Sequence, residues 1–248
     1  MQTSRGIHGA ERAGAIMLAA LACLAALPAA SQPVAAPPAA GKWAADVDAF
    51  VARDRERPPA PGGVCFIGSS NIRLWETLAA DFPGMNVVNR GVGGCRLAEL
   101  ADFAPRLVAA ARPRVIVVSA GTNDVNAGAT AAEVRAAFAA LVAGVRREVP
   151  GAVIAFLAIS PSIARWEQRD RQREANAAVR EFIAAAGDGR LRYLDANDAF
   201  LGADGRPDPA CFVEDRQHPS VAGNARRAAI LRPLLADLLA AAGADEGR

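Results

Sequence analysis

The chain has 248 residues, 52% of them hydrophobic and 22% charged, with a formal net charge of +2. This is ordinary globular composition with ample apolar material for one core, and so small a charge excludes nucleic-acid binding through a basic surface. Aromatic residues make up only 5%, so the core must be built mainly from Ala, Val, Leu and Ile.

Arg5 and Arg12 precede an apolar run at 13–27 that ends in Pro28 and small residues. A basic start, an apolar middle and a small-residue exit predict a secretory signal peptide at 1–31. The run is too short and alanine-rich for a membrane span. The mature protein is therefore expected without a span, in the periplasm or outside the cell. Residues 32–45, rich in Pro and Ala, read as a spacer, leaving one domain at 46–243. Export permits disulfides. Of Cys65, Cys95 and Cys211 in the mature chain, one thiol must stay unpaired, and a Cys95–Cys211 bridge is allowed.

Along the domain, short apolar runs alternate with helical patterns. Strands are predicted at 64–67, at 86–89, at 114–119 (β-branched and ended by Ala120-Gly121), at 152–159 between Pro150-Gly151 and Pro161, and at 191–194. Helices are predicted near 72–80, 97–111, 130–148, 166–186 and 220–241, with Thr130 and Glu133 forming a capping box. Such alternation predicts an α/β fold: a doubly wound, five-stranded parallel sheet with helices on both faces and right-handed crossovers. Ligands then bind beyond the carboxyl ends of the strands. That is where Ser69-Ser70, Gly91–Gly94 and Gly121–Asp124 fall.

Histidine gives the sharpest constraint. Of two histidines, His8 falls in the leader, so histidine chemistry must use His218. In Asp215-Arg216-Gln217-His218 the carboxylate can accept from Nδ1–H, leaving Nε2 as a general base. A serine after the first strand, at 69 or 70, enters a helix near backbone N–H groups that favour developing negative charge. Gly94 offers an unobstructed backbone N–H, and Asn123 a side-chain amide. Each motif alone is ordinary turn or capping chemistry; their order along the chain and shared sheet edge point to a site.

Together, Phe66-Ile67-Gly68-Ser69-Ser70-Asn71-Ile72-Arg73-Leu74-Trp75, Asn89 to Gly94, Gly121-Thr122-Asn123-Asp124 and Asp215-x-x-His218 resemble the SGNH (GDSL-type) hydrolase superfamily. Position 69, commonly Asp in that pattern, is Ser here, as in a G-S-S branch. The resemblance implies a flavodoxin-like domain and a serine carboxylic-ester hydrolase. It makes Ser70 the nucleophile, His218 the base and Asp215 its orienter, with the Ser70 N–H, Gly94 N–H and Asn123 Nδ2 as the oxyanion hole. The implied substrate is a small ester or an acylated glycan or lipid. No cofactor is implied, and one mature histidine with scattered cysteines does not supply a zinc site. The same residues would serve an acyltransferase with a sugar or lipid hydroxyl as acceptor. A non-catalytic carbohydrate-binding module is the third reading.

Overall fold

The computed structural model describes residues 41–246. The predicted leader and residues 32–40 of the spacer lie outside the described residues. Five strands, β1 (Val64–Gly68), β2 (Val88–Gly91), β3 (Val115–Ser119), β4 (Val153–Leu157) and β5 (Leu191–Leu194), form one parallel sheet in the order β2-β1-β3-β4-β5. The chain steps from β1 outward to β2, then returns to the other side of β1 for β3. That reversal opens a crevice at the carboxyl ends of β1 and β3, where doubly wound sheets hold ligands.

The eight α-helices of the described residues are α1 (Ala44–Glu56), α2 (Ser70–Arg73), α3 (Leu78–Asp81), α4 (Leu97–Ala109), α5 (Thr122–Asn126), α6 (Ala131–Glu148), α7 (Arg169–Ala186) and α8 (Val221–Glu246). Strand side chains alternate between the faces. Cys65, Ile67, Ile116, Val118, Ile154 and Phe156 join Leu100, Leu107, Phe138, Leu141 and Val179 in one apolar cluster under α4, α6 and α7. Val64, Phe66, Val115, Val117, Ala155 and Leu157 join Ile72, Leu78, Leu231 and Leu235 in a second, under α2, α3 and α8. Every residue of β1, β3 and β4 is buried, as expected for strands covered on both faces.

Three local differences from the sequence prediction have physical causes. The second strand begins at Val88 rather than 86, because Asn86 takes a left-handed turn at φ +48°. The predicted helix at 72–80 is two short helices. Between them Trp75 turns inward, 1% exposed, to pack edge-on against Phe66 and Phe82 and donate to Asp81 Oδ2 at 2.6 Å. Helix α1 has no counterpart in the prediction, since its buried positions are few, Val47 and Asp54, and the latter pairs with buried Arg90. The thiols also differ from the bridge that export would allow. Cys65, Cys95 and Cys211 are all free and buried, and Cys211 sits in a separate cluster with Ala199, Phe200 and Phe212.

Candidate active site

Strand register assembles the site. Gly68, at the end of β1, pairs with Gly91 of β2 on one side and Ser119 of β3 on the other. The three loops that follow are therefore neighbours. Helix α2 packs directly on β2: a Cβ on Gly91 would lie 2.1 Å from the Arg73 backbone nitrogen, so only glycine fits. Asn89 locks the same contact, donating to Ile72 C=O at 2.7 Å and accepting the Gly91 N–H at 2.9 Å.

Ser69 and Ser70 part ways at this turn. Ser69 is buried; its N–H donates to Ser119 C=O and its own carbonyl accepts from Ile72 and Arg73. Ser70, one residue on, is half-buried and its Oγ lies 2.8 Å from His218 Nε2. The contact joins residues 148 positions apart. His218 reaches it from a turn pinned by an antiparallel bridge between Phe212 and Pro219, by Val213 N–H to His218 C=O at 2.9 Å, and by Ala164 N–H to Arg216 C=O at 3.0 Å.

Asp215 completes the line, with Oδ2 2.5 Å from His218 Nδ1. Its other oxygen accepts the backbone N–H groups of Gln217 at 2.8 Å and His218 at 2.9 Å. Partial burial alone would raise the Asp215 pKa. The His218 side-chain hydrogen bond and the two backbone donors outweigh it and hold the carboxyl down at about 2. An ionised carboxylate on Nδ1–H leaves Nε2 free to accept the Ser70 hydroxyl proton.

Gly94 is exposed at φ +79°, and a Cβ there would meet nothing within 4 Å. Conformation rather than crowding selects glycine, and the space where a side chain would stand is open. Asn123 donates one Nδ2 proton to Cys95 C=O at 3.0 Å; an amide nitrogen carries two. Beside it, buried Asp124 accepts the Leu97 N–H through both oxygens, at 3.0 and 3.1 Å. These bonds tie the loop after β3 to the loop after β2. Burial pushes the Asp124 carboxyl up to about 6, against the pull of the Leu97 N–H, its own backbone N–H and Arg96, with Glu99 adding to the rise.

This geometry suits acyl transfer: a hydroxyl on a base, a base on a carboxylate, and N–H donors on adjoining loops. The sequence matches the model of the GDSL-like Lipase/Acylhydrolase family over residues 63–226. The chain belongs to that family. None of the curated proteins matches this GDSL-like acylhydrolase in sequence. Among solved structures it is similar to a Streptococcus pneumonia protein provisionally described as a platelet activating factor, with 19% identity, 78% of this chain and 93% of that one covered, and TM-score 0.69. It is also similar to a GDSL-like lipase from Bacteroides thetaiotaomicron (16% identity, 78% and 98% covered, TM-score 0.62). A third is a carbohydrate esterase family 3 protein from Talaromyces cellulolyticus (17% identity, 72% and 98% covered, TM-score 0.52). At these identities the likeness is one of fold.

Two supports of the candidate site lie outside the sequence motifs. Trp43, just before α1, is buried and donates from Nε1 to Gly93 C=O at 2.7 Å. It falls in the stretch read as spacer, where only an isolated tryptophan among alanines hinted at a docking point. Asn176 of α7 holds the backbone of Ile159 by two bonds, 2.8 Å to its N–H and 3.0 Å to its C=O. Ile159 in turn packs on Gly121, where a Cβ would lie 2.6 Å from its side chain. Trp166, by contrast, lines the cleft beyond β4 and β5, and Trp75 is core.

Proposed function

We propose that this acylhydrolase is a serine carboxylic-ester hydrolase. His218 Nε2 takes the Ser70 hydroxyl proton as Oγ attacks the ester carbonyl. The tetrahedral oxyanion is received by the Ser70 N–H, the Gly94 N–H and the second Asn123 Nδ2 proton. Protonated His218, held by Asp215, then gives its proton to the leaving alcohol, and water repeats the cycle to release the acid. The observation that carries the reading is the Ser70–His218–Asp215 line, at 2.8 and 2.5 Å, beside a Ser69 that does not share it.

The depression bordered by Asn71, Thr122, Gln217 and Pro219 holds about 10 Å³, room for roughly one water molecule. That favours a short acyl group over a long chain. The basic-apolar-small pattern at 1–31 supports action after export, in the periplasm or outside the cell.

Hydrolysis of a nitrophenyl ester series from acetate to laurate tests the reading. Wild-type turnover, fastest for acetate, together with loss of activity in Ser70→Ala and His218→Ala, is the expected result. An inactive wild type, or variants that match it, would overturn it.

A further inference from the structure

A cleft of about 610 Å³ opens at the carboxyl ends of β4 and β5, beside the small depression bordered by Asn71 and Gln217; Pro161 lines both. Neighbouring strands lie ~4.8 Å apart, so β4 and β5 stand roughly 10 and 15 Å from β1. A molecule reacting at Ser70 would reach the cleft only with a remote part.

Its lining is built for a charged, hydroxyl-rich ligand. Arg169, Arg173 and Arg180 of α7 face it. Arg180 lies over the Tyr193 ring at 5.6 Å, and none of its N–H groups is in a hydrogen bond among the described residues. Arg169 lies over Trp166 at 5.1 Å, its guanidinium donating to Trp166 C=O at 3.4 Å and standing 3.6 Å from the exposed Asp170 carboxylate. A guanidinium set over a ring is held in orientation, and the N–H edge of Arg180 stays available for an oxyanion. Arg173 pairs only with exposed Asp170, at 3.3 Å.

Between them Gln172, 2% exposed, lines the cleft with a buried Nε2 that has no hydrogen-bond partner, and Asn197 presents a buried Oδ1 in the same condition. Orphaned buried amide groups are costly unless a partner reaches them, and one donor and one acceptor in the lining of the same cleft suit a hydroxyl-bearing ligand. Asp195 and Asp198 add exposed acceptors at the rim, against the three arginines. The aliphatic lining, Ile159, Leu201 and Ile230, is too sparse for a lipid chain.

We propose that this cleft is a subsite for a carboxylate-bearing sugar in the alcohol portion of the ester, so that an acylated acidic glycan is the preferred substrate. The proposal rests on the ester-hydrolase reading of Ser70. Its test is a ratio: kcat/KM for an acetylated oligosaccharide carrying a uronic carboxylate over that for its neutral, reduced counterpart. The wild type should favour the acid, through KM, and Arg169→Gln/Arg180→Gln should cut the ratio by roughly ten- to a hundredfold, the scale of lost charge-assisted hydrogen bonds. Misfolding lowers both terms alike and leaves the ratio intact. A wild type indifferent to the carboxylate, a double variant that keeps the preference, or a stronger preference for a phosphorylated sugar ester would each overturn the assignment. If the wild type hydrolyses no ester, the Ser70 reading fails by itself. Calorimetric binding of the deacetylated acidic oligosaccharide, lost in the double variant, would then still support the subsite, and no binding would sink it.

A second inference rests on a different contact. A peptide unit is planar and trans, so its C=O and N–H point opposite ways. Trp43 Nε1 holds the Gly93 carbonyl at 2.7 Å, and that carbonyl shares its peptide plane with the Gly94 N–H. We infer that Trp43 is a positioning residue that aims the Gly94 donor. Trp43→Phe should keep the ring and lose the bond, lowering kcat about tenfold with KM within twofold. It should also weaken a boronic-acid transition-state analogue by the same factor. Unchanged kcat and analogue affinity, whatever happens to the melting temperature, would make Trp43 packing alone. Because Ser70→Ala is assayed alongside, that outcome is separable from a failed catalytic reading.

Discussion

The crevice at β1 and β3 and the cleft at β4 and β5 lie on the same sheet edge yet differ in how their principal polar groups are held. In the crevice the key groups are engaged: Ser70 on His218, His218 on Asp215, Asp215 on two backbone amides, Asn123 on Cys95. In the cleft, Gln172 Nε2 and Asn197 Oδ1 are buried without partners and Arg180 has only a ring beneath it. Groups already paired hold their geometry before a substrate arrives, which is what transition-state stabilisation requires. Groups left unpaired raise the energy of the empty protein and favour whatever fills the space. The contrast separates the part of the molecule suited to chemistry from the part suited to recognition.

The largest effects should come from breaking the engaged line. Ser70→Ala or His218→Ala should each lower kcat by at least about a thousandfold on nitrophenyl acetate, and together hardly more, because the residues act as a unit. Ser69→Ala, off that line, should cost far less. Asn123→Ala comes next: one lost oxyanion donor costs about 3 kcal/mol, on the order of a hundredfold in kcat, read at saturating substrate.

Stability measurements sharpen the contrast. Asn176→Ala removes two satisfied buried bonds to Ile159 and should cost about 2 kcal/mol by urea unfolding. Asp124 adds a pH dependence whose sign follows from its raised pKa, about 6 when folded against an ordinary value near 4. The folded state holds the proton more tightly, so wild-type stability should fall as pH rises from 4 to 6 and level off above. Asp124→Asn should flatten that fall; an unchanged slope would assign it elsewhere. Gln172→Leu should be the smallest change, within about 1 kcal/mol of wild type or slightly stabilising, since the donor it removes is bonded to nothing. A loss as large as that of Asn176→Ala would erase the distinction between the two regions.

Much of the fold was legible along the chain because it rests on local periodicity. The β-branched run at 115–118 and the apolar run at 153–157 alternate between faces under any register, and the glycines at 68 and 91 mark where backbones approach. The members of the candidate site were legible too. With one histidine outside the predicted leader, the general base had a single candidate, and Asp215 lies within the same turn. Between Ser69 and Ser70 the structure shows one side chain on the histidine: Ser70 Oγ meets His218 Nε2, while the Ser69 backbone N–H bonds Ser119 C=O.

Contacts between distant segments left no periodic trace. Trp43 meets Gly93 across a separation of 50 residues, and beyond the lone tryptophan itself nothing in an alanine-rich flank says where it docks. Asp124 looks like any turn carboxylate until the β1–β2–β3 register sets the Leu97 N–H before it. The cleft needs α7 laid across the ends of β4 and β5 before its arginines, Gln172 and Asn197 share one space. Sequence spacing sets which residues share a face of a strand or helix; sheet register and helix docking decide which faces meet. Long-range contacts depend on both, so the residues proposed for catalysis could be named from the chain while their supports and the neighbouring cleft could not.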